Sequence, residues 1–235
     1  MGVWITLRQN NEKSYFRDNL LGMISRTQDL DGNRLILASG YFSEYEKQEY
    51  SICGDNLKKA LETNPKICEI DIIGAKGSIK SFNRFCEKIR NLGRERFIPI
   101  RLPKNNWHAK IAMILKPVKE GSRNDRKRGT IPVCAIVGSS NLTRPAFGID
   151  PRPQNVHSDV KFNYECDVLI FSNDYFSNSL NNEYLTKIFP DIGERREGSI
   201  YFPEIDNTFS LSESTQLMAL FNLIKNSSKE CKEKL

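Results

Sequence analysis

"KICEIDIIGAKGSIKSFNRFCEKIRNLGRERFIPIRLP", residues 66–103, holds a strand, a helix and a second strand in succession. Residues 66–77 form an apolar run that closes on two glycines, the pattern of a buried strand. Residues 78–93 then change period. Ser78 suits an N-cap, Ile79, Phe82, Phe85, Cys86 and Ile89 share one helical face, and Gly93 suits the helix end. "RFIPIRLP" (96–103) returns to a strand. Upstream, "NRLILASGYF" (33–42) reads as another buried strand, and "GDNLKKALETN" (54–64) as a helix with Leu57, Ala60 and Leu61 inward and Pro65 as its stop. Alternation of this kind predicts an α/β domain whose sheet is largely parallel and flanked by helices. Sites in such sheets gather beyond the carboxyl ends of strands, which directs attention to Gly40-Tyr41, to Gly74 through Ser78, and to the residues after Pro103.

Downstream lie a strand at 107–115, a polar and basic insert at 116–130, a strand at 131–143, a Pro-rich loop at 144–163 and a strand at 164–171. The strands on either side of the basic insert suit a long hairpin. A helix is expected around 174–189, and a short amphipathic helix at 212–226. We therefore divide the chain into a main domain, 1–195, and a C-terminal extension, 196–235. At the other end, Val3, Trp4 and Ile5 suit a buried first strand better than the loose myristoylation pattern at Gly2 and Thr6. No internal repeat is found.

The 235 residues suffice for one sizeable core. Lys and Arg outnumber Asp and Glu by 35 to 29, a charge of +6 that is compatible with a polyanionic partner. The six cysteines form no CxxC pair and no zinc-spaced cluster, and Cys68, Cys134 and Cys166 lie in apolar runs that suit buried thiols. Reduced thiols, no signal peptide and no run near the roughly 20 apolar residues of a membrane span together imply a cytoplasmic protein without membrane contact or metal.

The chemistry-bearing residues come in three patterns: His108-x-Lys110, then Gly138-Ser139-x-Asn141, then Glu165 opening an apolar strand. In that order they resemble the phospholipase D superfamily, and within it the single-copy, metal-independent nuclease branch that includes some type II restriction endonucleases. The resemblance covers about residues 34–190 and implies a phospholipase D-like α/β fold, a mixed, largely parallel β-sheet flanked by helices. One position departs from it: the family's aspartate, five residues after the lysine, falls on Leu115. That disfavours a lipase more than it disfavours catalysis.

Each residue type suits phosphodiester cleavage. Neutral imidazole can attack phosphorus near pH 7. The Lys110 ammonium offsets the non-bridging oxygens, while Asn141 NH2 and the Ser139 hydroxyl donate to them, so that the set could replace a metal ion. Glu165 would accept the second ring N–H of a histidine. The cycle needs two histidines at phosphorus, and the chain has one His-x-Lys. The resemblance therefore implies a homodimer in which one His108 becomes phosphohistidine and the other protonates the leaving oxygen.

Every one of these residues also has a plainer reading. His108 suits a structural strand histidine, Lys110 a solvated edge lysine, Gly138 to Asn141 an ordinary turn, and Glu165 a strand edge. Arg123, Arg126, Lys127 and Arg128 suit a solvated hairpin tip or a nucleic-acid contact. Lys76 suits a phosphate contact or mere solubility, and His157 a surface position. The combination favours a metal-independent phosphodiesterase acting on nucleic acid, DNA before RNA: an endonuclease of restriction or defence type, with targeting supplied by its loops or by a separate recognition subunit. The alternatives are a phospholipase or phosphatidyl transferase of the same superfamily, and a non-catalytic nucleic-acid-binding subunit of a defence complex.

Overall fold

The computed structural model describes residues 2–8, 14–42, 52–74, 78–102, 110–117, 130–143, 146–147, 165–172, 182–189, 191–192 and 199–202. Eight strands form one sheet: β1 (Gly2–Arg8), β2 (Arg34–Ser39), β3 (Glu69–Gly74), β4 (Arg96–Arg101), β5 (Lys110–Pro117), β6 (Thr130–Gly138), β7 (Glu165–Phe171) and β8 (Ser199–Phe202). Their order across the sheet is β4-β3-β2-β5-β6-β7-β1-β8. The α/β class is as expected, but the sheet is mostly antiparallel rather than largely parallel. Five of its seven pairings are antiparallel; only β2 with β3 and β3 with β4 run parallel.

The reason lies in the connections. Parallel neighbours need a crossover of a dozen or more residues, usually helical. Among the described residues, helices fill that role at α2 (Ile52–Glu62) and α3 (Ile79–Arg90), in the half of the chain whose alternation is clear in the sequence. Strands β5 and β6 pair antiparallel, Lys110 opposite Gly138. At the far edge β8 pairs with β1, so the sheet continues past residue 195. The amphipathic segment at 212–226 lies outside the described residues.

Alternate residues of β2, β3, β5, β6 and β7, among them Leu35, Leu37, Ile70, Ile72, Ala112, Ile114, Cys134, Ile136, Leu169 and Phe171, pack beneath the helices in the larger core. Ile36, Ala38, Ile73, Ile111, Met113, Leu115 and Ala135 form a second cluster on the opposite face. Burial on both faces explains why β2, β5 and β6 read as unbroken apolar runs. Leu115 is fully buried in this second cluster.

Ser78 caps α3 as expected, its hydroxyl accepting from the Lys80 N–H at 3.2 Å. Phe82, Phe85, Cys86 and Ile89 are buried, but Ile79 is 58% exposed. Phe82 already covers Gly74, the last residue of β3, with its ring 2.5 Å from where a Cβ would stand. Gly93 takes φ +64° just past the helix.

A helix unforeseen in the sequence, α1 (Tyr15–Arg26), packs on α2 and on α4 (Asn182–Ile188). It is capped by Ser14, which accepts from the Arg17 N–H at 3.1 Å. Gly22 interrupts its pattern because the Ile188 carbonyl lies 2.4 Å from where its Cβ would be. Among the cysteines, Cys53, Cys86 and Cys134 are buried, Cys68 is half-buried and Cys166 is exposed, against expectation for the last. Glu165 and Asp167 point to the helix-covered face, so the residue between them must point away. None of these five is in a disulfide, and burial pushes the Cys86 thiol up to about 12. Among the described residues no helix is long and apolar enough to cross a membrane.

Candidate functional site

The antiparallel half of the sheet brings remote segments to one edge. β5 runs against β2, so its first residue, Lys110, lies where β2 ends. β6 runs back and ends beside it at Gly138, and β7 begins there at Glu165. The register continues across the sheet as Lys110, Gly138, Asp167 and Thr6. In the other direction the pairing Ala38 with Ile111 sets Ser39 beside Lys110. Lys110, Ser139, Asn141 and Glu165 therefore meet at the carboxyl ends of β2 and β6, where an open sheet offers a crevice.

Gly138 has no side chain because Asp167 occupies the space. A Cβ there would stand 2.1 Å from Asp167 Oδ1 and 2.5 Å from the Cys166 carbonyl oxygen. The chain then turns, and the turn is bonded to β7 residue by residue. Ser139 N–H donates to the Cys166 carbonyl at 2.9 Å, and Ser139 Oγ accepts from the Cys166 N–H at 2.9 Å. The Ser139 hydroxyl donates to Glu165 Oε2. Ser140, 1% exposed, donates its N–H to Asp167 Oδ1 at 3.2 Å and its hydroxyl to Asp167 Oδ2 at 2.5 Å.

In this structure the Ser139 hydroxyl is engaged within the protein. A hydroxyl has one proton, and that of Ser139 goes to the buried Glu165 side chain. Its task is to hold Glu165 against the strand edge.

The other flank of the turn is tied to β2. Ser39, fully buried, accepts from the Leu142 N–H at 3.1 Å and donates to the Tyr41 carbonyl at 2.8 Å. Tyr41 N–H donates to Asn141 Oδ1 at 3.2 Å. A backbone N–H can only donate, so it fixes the Asn141 amide with Oδ1 toward Tyr41 and Nδ2 turned away. Neither Asn141 Nδ2 nor the half-buried Lys110 ammonium has a hydrogen-bond partner among the described residues. An amide NH2 and an ammonium beside a buried carboxylate form a surface that attracts an anion while keeping an acceptor ready.

No family model matches the chain, and no curated protein does.

His108, Lys76, Arg123, Arg126, Lys127 and Arg128 lie outside the described residues, as does His157. Two residues that sequence reading passed over belong to the edge. Arg8, buried at the end of β1, stands opposite Glu165 in the β1–β7 register. Asp167, 5% exposed, is held by both donors of Ser140. Burial pushes its carboxyl up to about 6, against the hydrogen bonds from Ser140; the charge of Glu165 adds to the rise and that of Lys110 opposes it. The available signal was a second carboxylate two positions into an apolar strand, on the same face as Glu165. Among the described residues no group of three or more His, Cys, Asp or Glu is placed to hold a metal ion.

Proposed function

We propose that the chain is a metal-independent phosphodiesterase that cleaves nucleic acid, DNA before RNA, and that two copies complete its site. The observation that carries this reading is the meeting of Lys110, Asn141 Nδ2 and the Ser139–Glu165 pair at one sheet edge. His108 precedes Lys110 by two residues, so covalent geometry alone keeps their Cα atoms within about 7 Å.

In this mechanism Lys110 and Asn141 offset charge on the non-bridging oxygens. His108 attacks phosphorus, the bond to the leaving oxygen breaks, and His108 of the partner subunit supplies that oxygen's proton. The second histidine, now neutral, takes a proton from water; the resulting hydroxide attacks phosphorus, breaks the P–N bond and releases the phosphomonoester. Glu165, held by Ser139, orients an imidazole and stabilises its charged form.

The test is nicking of plasmid DNA in excess EDTA, with single-stranded DNA, RNA and phosphatidylcholine vesicles as parallel substrates and sedimentation of the same sample. The expected result is EDTA-resistant cleavage by a dimer, lost by more than about 1,000-fold in His108→Ala. Undiminished cleavage by His108→Ala, or headgroup release from vesicles with intact DNA, would overturn the reading.

A further inference from the structure

One buried carboxylate at this edge has no task in the chemistry above. Asp167 sits in the row between Gly138 and Thr6, covered on the helix side of the sheet. Both of its oxygens are used, and both by the same residue, through the Ser140 N–H and the Ser140 hydroxyl. Ser140 contacts no substrate; it is 1% exposed. Its place in the chain is what counts, because it separates Ser139, which holds Glu165, from Asn141, which presents Nδ2. A shift of Ser140 moves both.

The two flanks of the turn are not equivalent. On the β2 side, Tyr41 and Ser39 set the rotation of the Asn141 amide and the position of Leu142. On the β7 side, the Ser139 bonds fix one end and Asp167 fixes the middle. Without an acceptor at 167, two donors of Ser140 would be buried and unsatisfied, which a structure resolves by moving them toward water. Gly138 reinforces the arrangement, since any larger residue would push the carboxylate out.

We propose that Asp167 is a positioning residue that acts through Ser140, holding the Gly138–Leu142 turn so that Asn141 and the Ser139–Glu165 pair stand in register with Lys110 around a substrate phosphate. The inference takes its substrate from the phosphodiesterase reading and its geometry from the hydrogen bonds alone. It predicts a distinction between two substitutions. Asp167→Ala removes every acceptor. Asp167→Asn keeps the shape and can still serve Ser140, its Oδ1 accepting the N–H and its NH2 donating to the hydroxyl oxygen.

The experiment measures steady-state cleavage of a plasmid, and amide hydrogen exchange at residues 139–142, in the parent and both variants. Asp167→Ala should lower kcat at least tenfold with KM within twofold, the signature of a misplaced group rather than lost binding. It should also raise Ser140 exchange at least tenfold. Asp167→Asn should restore both to within about threefold of the parent. An Asp167→Asn variant as slow as Asp167→Ala would overturn the inference, because the charge and not the bond to Ser140 would then matter. Unchanged kcat in Asp167→Ala would overturn it too. Should Asp167→Ala fail to fold, Ser140→Ala decides: it keeps the backbone bond and should lower kcat several-fold at constant KM, and an unaltered kcat sinks the idea. A parent that cleaves nothing refutes the phosphodiesterase reading alone; the exchange of Ser140 then decides whether Asp167 holds the turn.

Discussion

Gly138→Ala perturbs the turn at its root and does so whatever the protein's substrate. The new Cβ would stand 2.1 Å from Asp167 Oδ1, 2.5 Å from the Cys166 carbonyl oxygen and 2.7 Å from Asp167 Cα. Two of those atoms are backbone, which no side-chain rotation can clear. β6 must separate from β7 at the Gly138–Asp167 pairing, and the carboxylate must leave Ser140 as well. Overpacking of this kind costs about 1–3 kcal/mol, and loss of a hydrogen bond to a charged group about 1.5–3 kcal/mol more. The expected loss is therefore about 2.5–6 kcal/mol, out of the roughly 5–15 kcal/mol typical of a domain. Urea unfolding at pH 7 measures it directly. Gly93→Ala is the control: nothing lies within 4 Å of its Cβ, but its φ is +64°, so only left-handed strain of about 1 kcal/mol applies. A Gly138→Ala protein within about 1 kcal/mol of the parent at equal m value would refute the packing of Asp167 over residue 138.

Three further outcomes are expected. The Asp167 carboxyl is pushed from 3.8 up to about 6 by burial, so the fold favours its acid form; that stability is complete below pH 3.8 and is lost as pH rises through about 6. The gap corresponds to about 3 kcal/mol. Asp167→Asn should accordingly gain up to about that much on the parent between about pH 4 and pH 7 in paired urea titrations, and a difference independent of pH would contradict the burial. Ser39→Ala removes the acceptor for the buried Leu142 N–H and should cost about 1–3 kcal/mol; a smaller cost would show that water reaches that N–H. Thiol labelling of the folded protein, mapped by mass spectrometry, should modify exposed Cys166 well before Cys53, Cys86 or Cys134; equal rates would contradict the burial of those three.

The fold was legible where one segment carries its own instruction. Residues 54–103 alternate apolar strand and amphipathic helix, and the structure places both helices and both strands there. The direction of the later strands was not legible from the same pattern. Apolar alternation fixes which face a residue takes but not which way its neighbour runs; that depends on the connection. Extending the parallel order of the first half across the whole sheet overlooked that β5, β6 and β7 have no helical crossover between them among the described residues. α1 escaped for a different reason. Its buried Asn19 and Gly22 weaken helical propensity, and Gly22 makes sense only once the Ile188 carbonyl of α4 lies against it.

At the site, residue types were legible and their partners were not. Lys110, Ser139, Asn141 and Glu165 each stand out as polar groups at the end of an apolar run. That Ser139 spends its proton on Glu165 comes from the two strands lying side by side. Asp167 shows the limit most clearly. In one dimension it is a carboxylate in an apolar strand, two residues from a better candidate. It becomes intelligible only through pairing: the β6–β7 register sets it opposite the one residue type that leaves room for a carboxylate, and sets Ser140 where both of its donors reach that carboxylate. A one-residue slip of β7 would turn Glu165 and Asp167 to the opposite face together with Leu169 and Phe171, which belong to the larger core. The same register that buries the core therefore builds the edge, and a substitution that disturbs one should be expected to disturb the other.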